Sequence, residues 1–201
     1  MQTIRARRWT REDGRRLSRA LFLLAALPVS AAIAQVEKRT EVCVACHGAD
    51  GNSQVPGIPS IAGQPRIFLE NQLFLFREGV RTAPQKEPAV AGLSDREIKI
   101  LAGVFAASPV QAAQTGADPA LFNKGRQIAQ KLGCGTCHLP DYQGREQMPR
   151  LAGQREDFLA AVMLAYQRNS RPGGDTIMAA SLYGIAQGDI KAMAHYLSRL
   201  K

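Results

Sequence analysis

Two copies of one short motif, 91 residues apart, place the strongest constraint on what this chain can fold into. The first copy reads CVACH, from Cys43 to His47, and the second reads CGTCH, from Cys134 to His138. Together they contain all four cysteines of the 201-residue chain and two of its three histidines. The chain must therefore bring two thiols and an imidazole together twice, each time within a single local turn.

A Cys-x-x-Cys pair followed directly by His is the attachment signature of c-type haem. Two thiols one helical turn apart can reach the two vinyl groups of one porphyrin, and the next residue then lies beneath the ring. Disulfides or a zinc site are the alternatives for four cysteines, but the repeated spacing favours two covalently bound haem c groups. The predicted attachment residues are Cys43, Cys46, Cys134 and Cys137, and the predicted proximal iron ligands are His47 and His138.

The similarity between the two halves extends well beyond the motifs. The segment PSIAGQPRIFL at 59–69 matches PRLAGQREDFL at 149–159, and SDREIKILAGVF at 94–105 matches QGDIKAMAHYL at 187–197. A repeat of about 90 residues is longer than solenoid repeats and indicates two homologous domains. Residues 108–119 lack hydrophobic periodicity and indicate a linker. The predicted boundaries are 35–108 for domain 1, 109–117 for the linker and 118–201 for domain 2.

Each half is predicted to be all-α. Residues 64–79 and 154–169 carry apolar side chains at helical spacing. Asp118, followed by proline, predicts the start of a helix, and Ser94 with Glu97 three residues later matches the capping box. No segment shows the alternation of a strand. Domains of this size bury little apolar surface, so a bound haem is expected to supply much of each core.

The first 34 residues have the pattern of a secretory signal peptide. Residues 1–19 hold seven arginines and two acids, residues 21–29 form a short apolar run, and residues 32–34 read AIA, a small-x-small cleavage pattern. The apolar run is far shorter than the roughly 20 residues that a membrane anchor needs. We therefore expect cleavage after Ala34, export to the periplasm and no membrane span in the mature chain.

Removal of this leader changes the argument from charge. The whole chain has a net charge of +9, but the residues after 34 hold 19 basic and 15 acidic side chains, which gives +4. No basic stripe with interleaved aromatic residues is present in the sequence. The composition therefore gives no support to nucleic-acid binding.

The paired motifs, the LAGQ-type turns and the segment AGLSDREI make the chain similar to the two-haem cytochrome c4 family over essentially its whole mature length. The resemblance implies two tandem cytochrome c domains and a periplasmic electron carrier between membrane respiratory complexes, such as a terminal oxidase or a quinol-oxidising complex. It also implies that the carbonyls of Pro59 and Pro149 orient the proximal imidazoles. One departure is a shorter first helix in mature domain 1, which lacks counterparts of Phe122 and Gly125.

Four methionines are candidates for the distal ligand of haem 2. Met163 and Met193 lie in amphipathic segments, where methionine usually fills a core, and Met148 precedes a proline on the proximal side. Met178 follows two glycines, in the loop where the family places its distal ligand, so the resemblance selects Met178. His/Met ligation raises the reduction potential and suits electron transfer. His195, in the last predicted helix, is interpreted as a structural or surface residue.

Domain 1 has no methionine after cleavage, and Lys86 occupies the position that corresponds to Met178. In one interpretation a neutral Lys86 amine binds the iron of haem 1, favours ferric iron and lowers the potential. In the other, Lys86 is a solvated loop residue and the iron is five-coordinate or binds water. We adopt ligation by Lys86 as the expectation.

These predictions leave two classes of function. The first is an electron carrier in which haem 1 and haem 2 have different ligands. The second is a haem enzyme in which an open or Lys-gated haem 1 acts on peroxide, thiosulfate or a nitrogen oxide while haem 2 relays electrons. A gas sensor would also need an open haem, but the sequence offers no output domain. Only Glu87 is an acid close to Lys86, so no catalytic residues are assigned and the carrier is favoured.

Overall fold

The computed structural model of the chain describes residues 27–111 and 116–201. These residues are helical apart from turns and one isolated bridge between Arg145 and Met148, which confirms the all-α prediction. Residues Arg39–Lys201 form one compact unit, and the described residues 27–38 belong to a second unit. No helix in the two described ranges is long and apolar enough to cross a membrane.

Two predictions fall partly outside these ranges. Residues 1–26, which include most of the predicted leader, lie outside the described residues, and the predicted cleavage site after Ala34 falls within the first described helix. Residues 112–115 of the predicted linker also lie outside them. The leader and the domain boundaries therefore stay predictions.

The first half of the compact unit, which we define as residues 39–111, is built on local signals that the sequence carries. The side chain of Ser94 accepts a hydrogen bond from the Glu97 N–H at 3.3 Å, and Glu97 Oε2 accepts one from the Ser94 N–H at 2.8 Å. The predicted capping box is thus confirmed at the start of α4. The helices are α1 (Leu27–His47), α2 (Arg66–Arg77), α3 (Glu87–Val90) and α4 (Asp95–Ala107).

The second half, defined as residues 116–201, begins at the predicted cap. Asp118 accepts hydrogen bonds from the N–H groups of Ala120 and Leu121 at 2.8 and 3.1 Å. Its apolar core is one cluster that includes Met163, Met193, Ile190, Leu197 and Tyr142. The helices are α5 (Pro119–Lys131), α6 (Cys134–His138), α7 (Glu156–Gln167), α8 (Thr176–Leu182) and α9 (Gln187–Ser198).

Helices α5 and α9 cross at a glycine. A Cβ atom placed on Gly125 would lie 2.0 Å from the carbonyl oxygen of Ala192 and 2.8 Å from the Cβ of Tyr196. Next to this point the Phe122 and Tyr196 rings meet edge to face, with their centroids 5.0 Å apart. Only a residue without a side chain allows this backbone approach, which closes the second half over its core.

Gly125→Val is therefore expected to separate α5 from α9 and to lower the free energy of unfolding by about 3 kcal/mol or more, the upper range for overpacked sites. Denaturant unfolding of the haem-loaded protein measures this. Gly188→Ala is the control, because a Cβ at Gly188 meets nothing within 4 Å and the position is also helical. An unchanged unfolding midpoint for Gly125→Val would contradict the crossing.

Two glutamines at equivalent positions of the repeat, 90 residues apart, join the halves. Gln154 Oε1 accepts a hydrogen bond from the Ser60 N–H at 2.8 Å, and Gln154 Nε2 donates to the Ser60 carbonyl at 2.8 Å. Gln64 makes the same two bonds with Arg150, at 3.0 and 2.9 Å. Each glutamine is only 5% exposed. The halves thus exchange equivalent bonds across an approximate two-fold axis.

One edge of this junction carries charge. Asp157 Oδ2 accepts a hydrogen bond from the Gly57 N–H at 2.9 Å and lies 2.8 Å from a terminal guanidinium nitrogen of Arg155. Arg155 also donates to the Ser53 carbonyl at 3.4 Å. Elsewhere the halves touch near Gly173, where a Cβ would lie 3.4 Å from that of Arg81.

Candidate haem-binding sites

The first motif occupies the last turn of α1. Cys43 is half-buried, Cys46 is exposed and His47 is only 2% exposed. Both cysteines are free thiols, and burial raises the pKa of the Cys43 thiol. Cys43 packs against the cluster of the first half that contains Leu69 and Phe105. The end of one helix therefore holds two available thiols beside a buried imidazole, as covalent haem attachment requires.

The second motif forms a short helix of its own. Helix α5 ends at Lys131, and Gly133 adopts a φ of +68° that redirects the chain into α6. A residue with a side chain would be strained in this left-handed conformation. Cys134 is half-buried, Cys137 is exposed and His138 is 4% exposed. The exposure pattern thus repeats that of the first motif.

Both histidines are oriented by a proline carbonyl. His47 Nδ1 lies 2.7 Å from the oxygen of Pro59, and His138 Nδ1 lies 2.8 Å from that of Pro149. A carbonyl only accepts hydrogen bonds, so each Nδ1 carries the proton and each Nε2 presents its lone pair. The two bonds implied by the resemblance are confirmed. This is the tautomer that a metal-binding imidazole needs.

The two Nε2 atoms differ in what lies against them. Among the described residues, His138 Nε2 is buried and has no hydrogen-bond partner. A buried nitrogen without a partner is costly unless something binds it. His47 Nε2 instead faces the amine of Lys86, with 2.5 Å between Nζ and Nε2. The structure therefore brings the predicted residues His47 and Lys86 together, and it leaves His138 open at the atom that would bind iron.

Burial favours the neutral form of each of these groups. Burial, and then the charge of Lys86, lowers the pKa of His47 to about 4. Burial also lowers the pKa of His138 and that of Lys86. A neutral imidazole or amine has the lone pair that a metal requires, whereas its protonated form does not. In all three side chains burial thus favours the form that is able to bind a metal.

Met178 lies in a helix, not in the loop that the sequence predicted. Asp175 caps α8 by accepting hydrogen bonds from the N–H groups of Ile177 and Met178 at 2.8 and 3.0 Å. This cap extends helical structure to within two residues of Gly174, and the loop assignment was wrong. The side chain of Met178 is half-buried and packs against the core of the second half, as does Cys134. Met178 and the second attachment motif thus adjoin one core.

The other candidate side chains have structural positions. Met163 and Met193 are buried in the core, as predicted, while Met148 is half-buried at the isolated bridge. His195 is buried, and both of its ring nitrogens are engaged: Nε2 accepts from the Asp118 N–H at 3.0 Å and Nδ1 lies 3.3 Å from Glu156. These contacts support the structural interpretation of His195.

Two arginines that the sequence analysis did not single out lie close to each other, and one of them, Arg81, acts on Lys86. Arg81 and Arg171 occupy equivalent repeat positions and stack on aromatic rings, Arg81 on Phe76 at 4.4 Å and Arg171 on Tyr166 at 5.1 Å. Burial, and then the charge of Arg171, lowers the pKa of Arg81 to about 10, and Arg81 adds to the effect of burial on the pKa of Lys86. Guanidinium groups bind carboxylates, and a haem carries two. The equivalent positions of Arg81 and Arg171 in the two repeats are the sequence signal that could have identified them.

Comparison with known proteins gives a consistent set of relatives. The family model described as Cytochrome c matches residues 122–201. The chain is 32% identical to cytochrome c4 of Pseudomonas aeruginosa over 175 residues, which cover 82% of this chain and 86% of that protein. The crystal structure of reduced recombinant cytochrome c4 from Pseudomonas stutzeri matches with a TM-score of 0.74 at 28% identity, covering 83% of this chain and 98% of that one. The thiosulfate dehydrogenase electron acceptor of Stutzerimonas stutzeri is 29% identical over 169 residues, 79% of this chain and 78% of that protein.

Proposed function

The chain belongs to the cytochrome c4 family, and from this we propose that it is a periplasmic carrier whose two haems have different axial ligands. Family membership identifies a two-haem, electron-transferring cytochrome. When bound, the haems supply reversible one-electron chemistry. The chain's own residues hold the haems, exclude water and decide how strongly each iron retains an electron. The proposed axial ligands are His47 and Lys86 for haem 1, and His138 and Met178 for haem 2.

The position of Lys86 supports the unequal ligation. The Pro59 carbonyl engages Nδ1 of His47, so Nε2 is the ring nitrogen available to iron. Lys86 Nζ lies 2.5 Å from this atom and is the side chain that faces it. Burial of Lys86 favours its neutral amine over the ammonium form. A loop lysine in solvent would have neither this contact nor this shift of its pKa.

The two ligand sets would bias the electron toward the second half. An amine is a harder ligand than a thioether and favours ferric iron, whereas His/Met ligation raises the potential of haem 2. Haem 1 would therefore give up its electron more readily than haem 2. We therefore propose that the electron resides mainly on haem 2, in the second half, before it is transferred out of the protein.

The proposed partners are other redox proteins. One relative is named as the electron acceptor of a thiosulfate dehydrogenase, and acceptance of electrons from such an enzyme fits a carrier. Membrane respiratory complexes, such as a quinol-oxidising complex or a terminal oxidase, are the proposed donor and acceptor on the respiratory route.

The alternative is a haem enzyme that acts on thiosulfate, peroxide or a nitrogen oxide. That alternative needs an open haem 1, and the Lys86–His47 contact weighs against it.

Mass spectrometry combined with electron paramagnetic resonance tests the proposal. Protein exported by a host with haem-attachment machinery should have the mass of a chain that begins near Gln35 plus two haems. The oxidised protein should give two distinct low-spin signals, because both irons have two strong axial ligands. Replacing Cys134 and Cys137 together by alanine should remove one haem addition. Two disulfides in place of haem would contradict the function, and a high-spin signal from haem 1 would favour the enzyme.

A further inference from the structure

Each axial histidine donates a hydrogen bond to the carbonyl of a peptide group. The N–H of that same peptide group donates a hydrogen bond to a glutamine of the opposite half. The carbonyl of the Pro59–Ser60 peptide accepts from His47 Nδ1 at 2.7 Å. The N–H of this same peptide, on Ser60, donates to Gln154 Oε1 at 2.8 Å. A single planar unit thus connects a histidine of the first half with a glutamine of the second.

The arrangement is repeated in the opposite direction. The carbonyl of the Pro149–Arg150 peptide accepts from His138 Nδ1 at 2.8 Å. The N–H of that peptide, on Arg150, donates to Gln64 Oε1 at 3.0 Å. The glutamine amide groups also donate to the next carbonyls, those of Ser60 and Arg150. Every bond in one direction therefore has its equivalent in the other.

Two physical effects follow from this sharing of a peptide. The peptide is planar, so a bond that fixes its N–H also fixes the direction of its carbonyl. When the peptide N–H donates a hydrogen bond, the whole peptide group is polarised, and its carbonyl becomes a stronger acceptor. Ser60 is buried like both glutamines, so water does not readily replace a lost bond.

We infer that each half positions the axial histidine of the other, with Gln154 acting on His47 and Gln64 acting on His138. The inference rests on the proposed function, because it concerns imidazoles that bind haem iron. Both glutamines are positioning residues that act through a peptide group. An acceptor on Nδ1–H makes an imidazole a stronger ligand. Loss of either glutamine should therefore weaken the ligand, and raise the reduction potential, of the haem in the opposite half.

The test uses the full haem-loaded protein, reduced and labelled with ¹⁵N-histidine, in which NMR detects the two Nδ1 protons separately. Gln154→Leu should speed solvent exchange of the His47 Nδ1 proton by about tenfold or more, the effect of losing about 1.4 kcal/mol of hydrogen bonding. The His138 proton should keep its wild-type rate. Gln64→Leu should give the reverse pattern. NMR of partly reduced samples should show a raised potential for the haem in the opposite half only.

Four further variants make the result specific. Gln130→Leu, at an exposed position on α5, is the matched control and should change neither proton. Gln154→Glu keeps Oε1 as the acceptor for Ser60 and should hold the His47 proton close to its wild-type rate. Gln154→Asn and Gln64→Asn shorten the side chain, so the amide no longer reaches the backbone of the opposite half, and they disturb the packing less than leucine does. Where a leucine variant does not fold, the asparagine variant replaces it, and the exchange rates of the same two histidine protons are measured.

The inference is overturned if either glutamine affects the histidine of its own half, both histidines equally, or neither. A failure of the proposed function looks different, since the wild-type protein would then carry fewer than two haems by mass and absorbance. A general loss of stability would change both protons together. Only the crossed pattern supports positioning across the junction.

Discussion

Lys86→Met is expected to give haem 1 a thioether ligand and to raise its reduction potential by about 0.1 V or more, within the roughly 0.8 V that axial ligands span in haem proteins. The physical reason is that Lys86 Nζ already faces His47 Nε2, so a side chain of similar length reaches the same place. Redox titration monitored by absorbance measures the potential. A second Met-to-ferric-iron charge-transfer band should appear.

Lys86→Ala separates ligation from packing at the same position. Alanine cannot reach the iron, so haem 1 should become high-spin and accessible to cyanide or peroxide while haem 2 is unchanged. Lys99→Met, at an exposed position on α4, is the matched control and should leave both haems as they are. A wild-type haem 1 that is already high-spin and indifferent to Lys86→Ala would defeat the assignment and favour the enzyme.

Met178→Ala should abolish the charge-transfer band of Met-ligated ferric iron and lower the potential of haem 2 alone, again by about 0.1 V or more. Met178 is the methionine in a short capped helix that packs on the same core as Cys134. The potential of haem 1 should not move, because its proposed ligands lie in the first half. Absorbance of the oxidised protein and redox titration provide both readouts.

Two other methionines serve as controls for this substitution. Met148→Ala changes a half-buried residue at the isolated bridge and should keep the band. Met193→Ala opens a cavity in the core, so it should cost about 2–5 kcal/mol of stability and still keep the band. Loss of the band in either control would show that the repeat alignment selects the wrong methionine.

The sequence predicted those elements whose causes are local. The caps formed by Asp118 and Ser94 depend on side chains that bond to backbone two or three residues away, and both lie where the pattern placed them. Helix α8 carries a similar signal in Asp175, but the two preceding glycines suggested a loop. The capping signal was therefore present in the sequence, but the loop assignment gave more weight to the two glycines.

The parts of the site that could not be predicted depend on how distant segments meet. Gln64 and Gln154 are visible in the repeat, but nothing in the sequence says that each binds the backbone of the opposite half. Lys86 likewise aligns with Met178, whereas its approach to His47 depends on tertiary packing across 39 residues of chain. Periodicity reports which face of a helix is buried, and it does not report what lies against that face.

The central bonds of the junction join amide side chains to backbone groups, and neither partner carries a net charge. Mobile ions do not screen buried neutral bonds, so these central bonds are expected to be insensitive to ionic strength, unlike the charged edge formed by Asp157 and Arg155. The +4 charge of the expected mature chain acts on a distant charged partner instead, and salt weakens that attraction beyond a Debye length of about 8 Å under physiological conditions. We therefore expect ionic strength to change how often the protein meets a charged partner and to leave the central glutamine bonds between the halves unchanged.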